Sequence, residues 1–116
     1  MFDNLEIFGL AQAQARHAAA RQAVVAQNIA NADTPGYRAR DVTPFEETFR
    51  SLDTRSGGFP DLAIRTVDAG GPASPNGNTV ALETEMLRGI EAQRSHSRAL
   101  RVYESALNVL RTSLGR

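Results

Sequence analysis

The sequence contains no cysteine and no lysine. The first absence removes disulfides, thiol catalysis and cysteine-ligated zinc together. The second removes the lysine of a phosphate-binding loop, and no G-x-x-x-x-G-K-[ST] pattern occurs. Only two histidines are present, His17 and His96, and neither has an acidic residue four positions away on its helix. A zinc site gathers three or four ligands, and no such set is visible. No catalytic, metal-binding or cofactor-binding residue is therefore expected, no cofactor, and no small-molecule substrate; the chain reads as a non-enzyme. A net charge is missing too. Thirteen basic and thirteen acidic residues cancel, so no global field draws the chain to nucleic acid or to a membrane surface. The basic residues are not interleaved with aromatics, which argues against a nucleic-acid partner. No apolar run approaches the ~20 residues of a membrane helix, and Met1-Phe2-Asp3-Asn4-Leu5-Glu6 lacks the basic segment and apolar run of a cleaved signal peptide.

What is present is mostly helix-forming. At 116 residues the chain is one domain at most. The hydrophobic fraction is 41%, but 18 of these residues are alanine. Alanine buries little area, so a compact core would be thin. All thirteen basic residues are arginine, which suits bidentate interface contacts or reflects codon usage alone.

Residues 4–31 carry no proline, and ten alanines fall from Ala11 to Ala32. Phe8, Ala11, Ala15, Ala18, Val25 and Ile29 recur at spacings of three and four with Gln22 between, the seam of a coiled-coil-like helix. The helix must stop before Pro35, which biases Thr34 toward extended backbone. Asn31 can cap the helix in a left-handed conformation. Thr34-Pro35-Gly36-Tyr37 then reads as a type II turn, with Pro35 fixing φ at its second position and Gly36 supplying positive φ at its third. Asp33 and Asp41 flank the turn as an Asx turn or as arginine partners.

Glycine and proline accumulate over residues 32–79. Thr43-Pro44-Phe45-Glu46 has a capping threonine, a proline at the first helical position and a glutamate three residues after the cap. Phe45, Phe49 and Leu52 follow at i, i+4 and i+7, predicting a short helix over about 44–52. Leu62–Val67 alternates weakly and fits a short strand or an extended arm. A connection this long with so little regular structure is unusual within a compact domain, and is either disordered or ordered by partners.

A second long helix is expected over 80–114. Asn78 or Thr79 can cap it, and Glu83 and Glu85 suit its positive end. Met86, Leu87 and Ile90 open it, and Leu100, Tyr103, Leu107, Leu110 and Leu114 continue a seam toward the terminus. Arginines 88, 94, 98, 101, 111 and 116 outnumber Glu91 and Glu104, which reads as a solvated basic face. The expected fold is mainly α: two long terminal helices paired as an α-hairpin, joined by a long irregular segment with one short helix and a short strand. The divisions fall at 1–32, 33–79 and 80–116.

The stretch Asn28-Ile29-Ala30-Asn31-Ala32-Asp33-Thr34-Pro35-Gly36-Tyr37 resembles the motif near the N-terminus of the axial proteins of the bacterial flagellum. Asn76-Gly77-Asn78-Thr79-Val80, with Glu83, Glu85 and Met86, resembles the start of the C-terminal helix in proximal rod proteins. The chain has no room for the large extra domains that hook and distal rod proteins carry between their terminal helices. The resemblance covers residues 1–41 well and 75–114 less sharply. It implies a structural subunit of the flagellar basal-body rod, assembling through its terminal helices with other copies of itself and other flagellar rod proteins, next to the membrane-ring and export-gate base. It also implies export without a cleaved signal and a place in the periplasmic part of the basal body. The motif residues are then Asn28, Asn31, Thr34, Pro35, Gly36 and Tyr37. The assembly surface is Phe8, Ala15, Val25, Ile29, Met86, Ile90, Leu100, Tyr103, Leu107, Leu110 and Leu114. The alternative from another class is a free-standing helical-hairpin adaptor for a single soluble protein partner.

Overall fold

The computed structural model describes residues 2–51 and 64–115. Its frame is an antiparallel pair of long helices, α1 (Phe2–Ala30) and α3 (Leu82–Ser113). Between them lie β1 (Arg40–Val42), α2 (Phe45–Ser51) and β2 (Thr66–Asp68). No helix among the described residues is long and apolar enough to cross a membrane. The predicted mainly helical hairpin is therefore observed, with helix ends within two residues of those expected.

The seam between α1 and α3 is built of small residues. Ala11, Ala18 and Val25 are buried on α1, and Ala92, Ala99 and Ala106 on α3, where with Glu85 they recur every seventh residue. A seven-residue repeat is the geometry of two helices that stay in register along their length. Phe8 and Tyr103 close the seam toward the free ends, their rings 4.9 Å apart and edge to face. The expected line through Leu100, Tyr103, Leu107, Leu110 and Leu114 is corrected in part. Leu100 and Leu114 are exposed, Leu107 and Leu110 are half-buried, and the buried line runs through the alanines instead. The reason is steric: alanine between two helices lets the backbones approach closely, and the larger side chains are displaced to the flanks. On α1 the same shift leaves Ile29 exposed and places Asn28 in the interior.

β1 pairs antiparallel with β2, with Arg40 opposite Asp68, Asp41 opposite Val67 and Val42 opposite Thr66. Two flanking bonds extend the pair, from Thr43 N to Arg65 O and from Ala69 N to Ala39 O, both 2.9 Å. The predicted arm over Leu62–Val67 thus supplies β2 at its end; Leu62 and Ala63 lie outside the described residues. β1 was not expected from the sequence. The Arg38 guanidinium and the Gly70 amide hold the Asp68 carboxyl below its ordinary range, pinning the mouth of this ribbon. α2 forms where the proline and the phenylalanine spacing predict it. Phe45 packs its ring on Phe49 at 5.8 Å and meets His17 of α1 edge to face at 5.6 Å; Leu52 lies outside the described residues. The Thr43 hydroxyl pairs with that of Thr48 at 3.0 Å.

Two tight turns stack where the chain leaves α1 and where it approaches α3. In the first, Tyr37 N donates to Thr34 O at 3.2 Å and Gly36 has φ +75°, as a type II turn requires. In the second, Gly77 N donates to Ser74 O at 2.8 Å. Gly36 N donates to Asn76 O at 2.9 Å, and a Cβ on Gly77 would sit 3.4 Å from Gly36 Cα. Gly77 has φ +88°, a region that costs an L-residue ~1–2 kcal/mol. Gly77→Ala is expected to lower unfolding stability by roughly that amount. Gly89→Ala should do the reverse. Its new methyl would lie in ordinary contact with Val25, 3.5 Å away, and alanine is favoured over glycine within a helix by ~1 kcal/mol. Urea unfolding midpoints of opposite shift would bear this out; a neutral Gly77→Ala would remove the stacked turns from the account.

Candidate assembly site

The turn end of the hairpin is organised by two buried carboxamides. Asn28, in the last turn of α1, is fully buried. Its Nδ2 donates to Arg40 O at 2.7 Å and to Glu85 Oε1 at 2.9 Å. Its Oδ1 accepts from Arg40 N and from the Tyr37 hydroxyl, both at 3.1 Å. A carboxamide offers two donors and an acceptor oxygen with two lone pairs, so every capacity of Asn28 is used. Toward Arg40 it behaves as a short strand, taking the N–H and the C=O of one residue at once. It thereby holds β1 against α1.

Asn78 performs the matching task from the other side. Its Nδ2 donates to Asn31 O at 2.8 Å and to Thr34 O at 2.7 Å, and its Oδ1 accepts from Val80 N at 2.7 Å. The last carbonyls of a helix lack partners within it, and Asn78 satisfies one of them while fixing the turn that follows. Thr79 donates its amide to Tyr37 O at 3.0 Å and accepts from Ala39 N on its hydroxyl at 2.8 Å. The expectation that Asn78 or Thr79 caps α3 is therefore corrected. Both side chains turn toward α1 and β1, Ala81 stands at the N-cap, and no side-chain cap bond forms there. Asn31 is corrected as well, because among the described residues only glycines have positive φ. It stays right-handed, donates from its side chain to Gln27 O at 2.8 Å and accepts from the Thr34 hydroxyl at 3.1 Å. The tightened backbone bonds from Asn31 and Ala32 to the preceding turn end the helix without a left-handed cap.

An ion network continues from Asn28 into the seam. Glu85, 1% exposed, accepts from Arg88 Nη1 at 2.8 Å on the oxygen that Asn28 does not use. Arg88 Nε also lies 3.6 Å from Asp41, and Asp41 accepts from Arg21 Nε at 3.2 Å. Arg21 reaches Glu91 at 3.1 Å. Two guanidinium groups, one from α1 and one from α3, are thus shared among three carboxylates, one from β1 and two from α3. Removing one member of such a set leaves the remaining buried charge uncompensated. Asp41 is an arginine partner, as its place beside the turn suggested. Arg88 belongs to this network and not to a solvated basic face. His17 adds one more tie, its Nε2 donating to Thr43 O at 2.6 Å.

The residues expected to form an assembly surface divide into two groups. Phe8, Val25 and Tyr103 lie within the chain's own seam, and Ala15, Leu107 and Leu110 are half-buried at its edge. Ile29, Met86, Ile90, Leu100 and Leu114 face outward. Of the motif, Asn28 is interior, Asn31 and Tyr37 are half-buried, and Thr34, Pro35 and Gly36 stand on the surface of the turn. Sequence reasoning missed Asn78, Glu85 and Arg88 as a group. The one available signal was that Asn78 and Glu85 fall in the second stretch of family resemblance. Among the described residues no group of three or more histidines, aspartates and glutamates is placed to hold a metal ion.

Residues 9–38, from the first turns of α1 through the motif, match the family model described as the flagella basal body rod protein. The flagellar basal body rod protein FlgB of Agrobacterium fabrum (strain C58 / ATCC 33970) is 33% identical to the chain over 107 residues, covering 79% of this chain and 80% of that protein. The family match runs through the turn that Asn28 and Asn78 build, and with similarity over most of both proteins the chain belongs to the flagellar basal-body rod proteins, as a structural subunit of the rod.

Proposed function

We propose that the chain forms part of the proximal rod, where its terminal helices pack beside those of neighbouring subunits to build the tubular drive shaft. The observation that carries this reading is the set of outward-facing apolar side chains on α3, with Leu82, Met86, Leu87 and Ile90 each about half exposed or more. A contiguous apolar surface on a small chain marks a contact region. The likeness to FlgB supports the proximal position. The partners are copies of the chain and other rod subunits, with the membrane ring and export gate at the base. The chain reaches the periplasmic space through the flagellar exporter. The action is mechanical: many similar helices bury their flanks jointly, and the assembled shaft transmits torque. No observation on the chain or its relatives favours a free-standing adaptor.

Leu87→Asp, on this outward-facing set, tests the surface. A leucine removed from water contributes ~1.5–3 kcal/mol, and an unpaired carboxylate at its place adds a desolvation cost. Each subunit carries the change, so the loss recurs at every contact. Incorporation into purified basal bodies is expected to fall at least tenfold and motility to be lost, while the protein still appears in the culture supernatant. Arg111→Ala, exposed on the same helix, is the control. Equal incorporation of the two variants would exclude this outward-facing set as an assembly surface.

A further inference from the structure

Two exposed apolar patches on α3 lie at opposite ends of the hairpin and on opposite sides of the helix. The first is Leu82, Met86 and Ile90, close to the turns. A spacing of four keeps these three on one side, and Glu83 stands exposed beside them. The second is a groove toward the free ends, where Ile7 of α1 meets Val102 and Val109 of α3 and Arg98 and Arg101 form the rim. With 3.6 residues per turn, Met86 and Val102 point to opposite sides of the buried line through Ala92 and Ala99. They lie roughly 24 Å apart along the axis at ~1.5 Å per residue.

The charge at the start of the first patch, Glu83 beside Leu82, is complementary to Arg98 and Arg101 at the groove, while Arg94 stands at the far end of that patch, beyond Ile90. Among the described residues, Glu83, Arg98 and Arg101 form no ion pair with one another or with any other group. A symmetric contact would press Arg98 and Arg101 of one copy against the same residues of another, or Glu83 against Glu83. Like-charge juxtaposition of this kind disfavours a two-fold pairing of either patch. The asymmetric contact sets carboxylate against guanidinium and apolar against apolar.

On the reading of the chain as a rod subunit, we infer that the Leu82–Met86–Ile90 patch of one copy seats in the Ile7–Val102–Val109 groove of a second copy, with Glu83 facing Arg98 and Arg101. Because the patches face opposite ways, two hairpins meet by sliding past each other in the same direction, displaced by roughly 24 Å along the long axis at the rise of an α-helix. The pair then retains one unused patch and one unused groove, on different copies. A contact of this type does not close on itself, and extends as an open array.

The test is sedimentation velocity of the full chain over a concentration series, with circular dichroism to confirm that each variant stays helical. The wild-type chain is expected to grow beyond a dimer as concentration rises. Arg98→Glu combined with Arg101→Glu, and separately Glu83→Arg, should each raise the concentration of half-association at least tenfold. An equimolar mixture of the two variants should restore wild-type association, since each groove then meets a start of opposite sign. A mixture no better than its components, variants that associate like wild type, or growth that stops at two copies would overturn the inference. A wild-type chain that stays monomeric throughout, yet is found in basal bodies, also overturns it and leaves the rod reading standing. Absence from basal bodies would remove the rod reading itself.

Discussion

Asn28→Ala should lower the unfolding free energy by about 3 kcal/mol or more, a large fraction of the ~5–15 kcal/mol that holds a domain folded. The substitution removes four hydrogen bonds from a fully buried position. It strands the Arg40 N–H and C=O, one Glu85 oxygen and the Tyr37 hydroxyl. Each unpartnered buried polar group costs ~1–3 kcal/mol, although such losses do not add simply. The methyl group also leaves a cavity beside Glu85. Asn28→Asp offers no refuge, because a carboxylate cannot donate to Glu85 and sets like charge against it. Asn31→Ala, which loses a cap on the surface of the turn, should cost ~1 kcal/mol or less. Urea unfolding measures the difference, and amide exchange at Arg40 reports whether β1 has left α1. An Asn28→Ala protein within ~1 kcal/mol of wild type, with Arg40 still protected, would show that the carboxamide does not hold the arm.

The second large effect belongs to the alanine seam. Ala99 is 1% exposed between the two helices. Ala99→Leu forces three further carbons into a position where the backbones already approach closely. Overpacking of a well-packed site costs ~1–3 kcal/mol, and here the strain is relieved only by spreading the helices along their length. A loss of ~2 kcal/mol lowers the thermal midpoint of a domain near this size by roughly 10 °C. Ala26→Leu, the same chemical change on an exposed face of α1, should shift stability by no more than ~0.5 kcal/mol. Equal midpoints for the two variants would mean that the seam is loose enough to take a leucine, and that the seven-residue alanine spacing sets nothing.

The parts of this fold that were legible in the sequence are those governed by local rules. Alanine content and the absence of proline predict α1 to within a turn, and Pro35 with Gly36 predicts a turn whose glycine does hold positive φ. Thr43-Pro44 with the phenylalanine spacing predicts α2. The misreadings share a physical origin. Apolar periodicity ranks leucine above alanine as a core residue, yet a close helix pair selects for small size, so the line was drawn through Leu100 and Leu114 instead of Ala99 and Ala106. Asn78 and Thr79 have the composition of helix caps, and local rules cannot see that the turn leaving α1 lies beside them and takes their hydrogen bonds. Three-residue β1 carries no alternation to detect. Its position is set by Asn28, twelve residues earlier in the chain. Glu85 looked like a favourable charge at a helix start; its burial follows from Asn28, 57 residues away.

The antiparallel arrangement also determines how the subunit yields to force. Both free ends lie at the end of the hairpin where Phe8 meets Tyr103, and the knot of Asn28, Asn78 and the paired glycines lies at the other. A force that peels the free ends apart loads one contact at a time, beginning with that ring pair, and the seam opens as a zipper does. A force that slides α1 along α3 loads the Arg21–Glu91 pair, the Asn28–Glu85 bond and the whole alanine line together, and all must give at once. The hairpin is therefore compliant to peeling and stiff to shear.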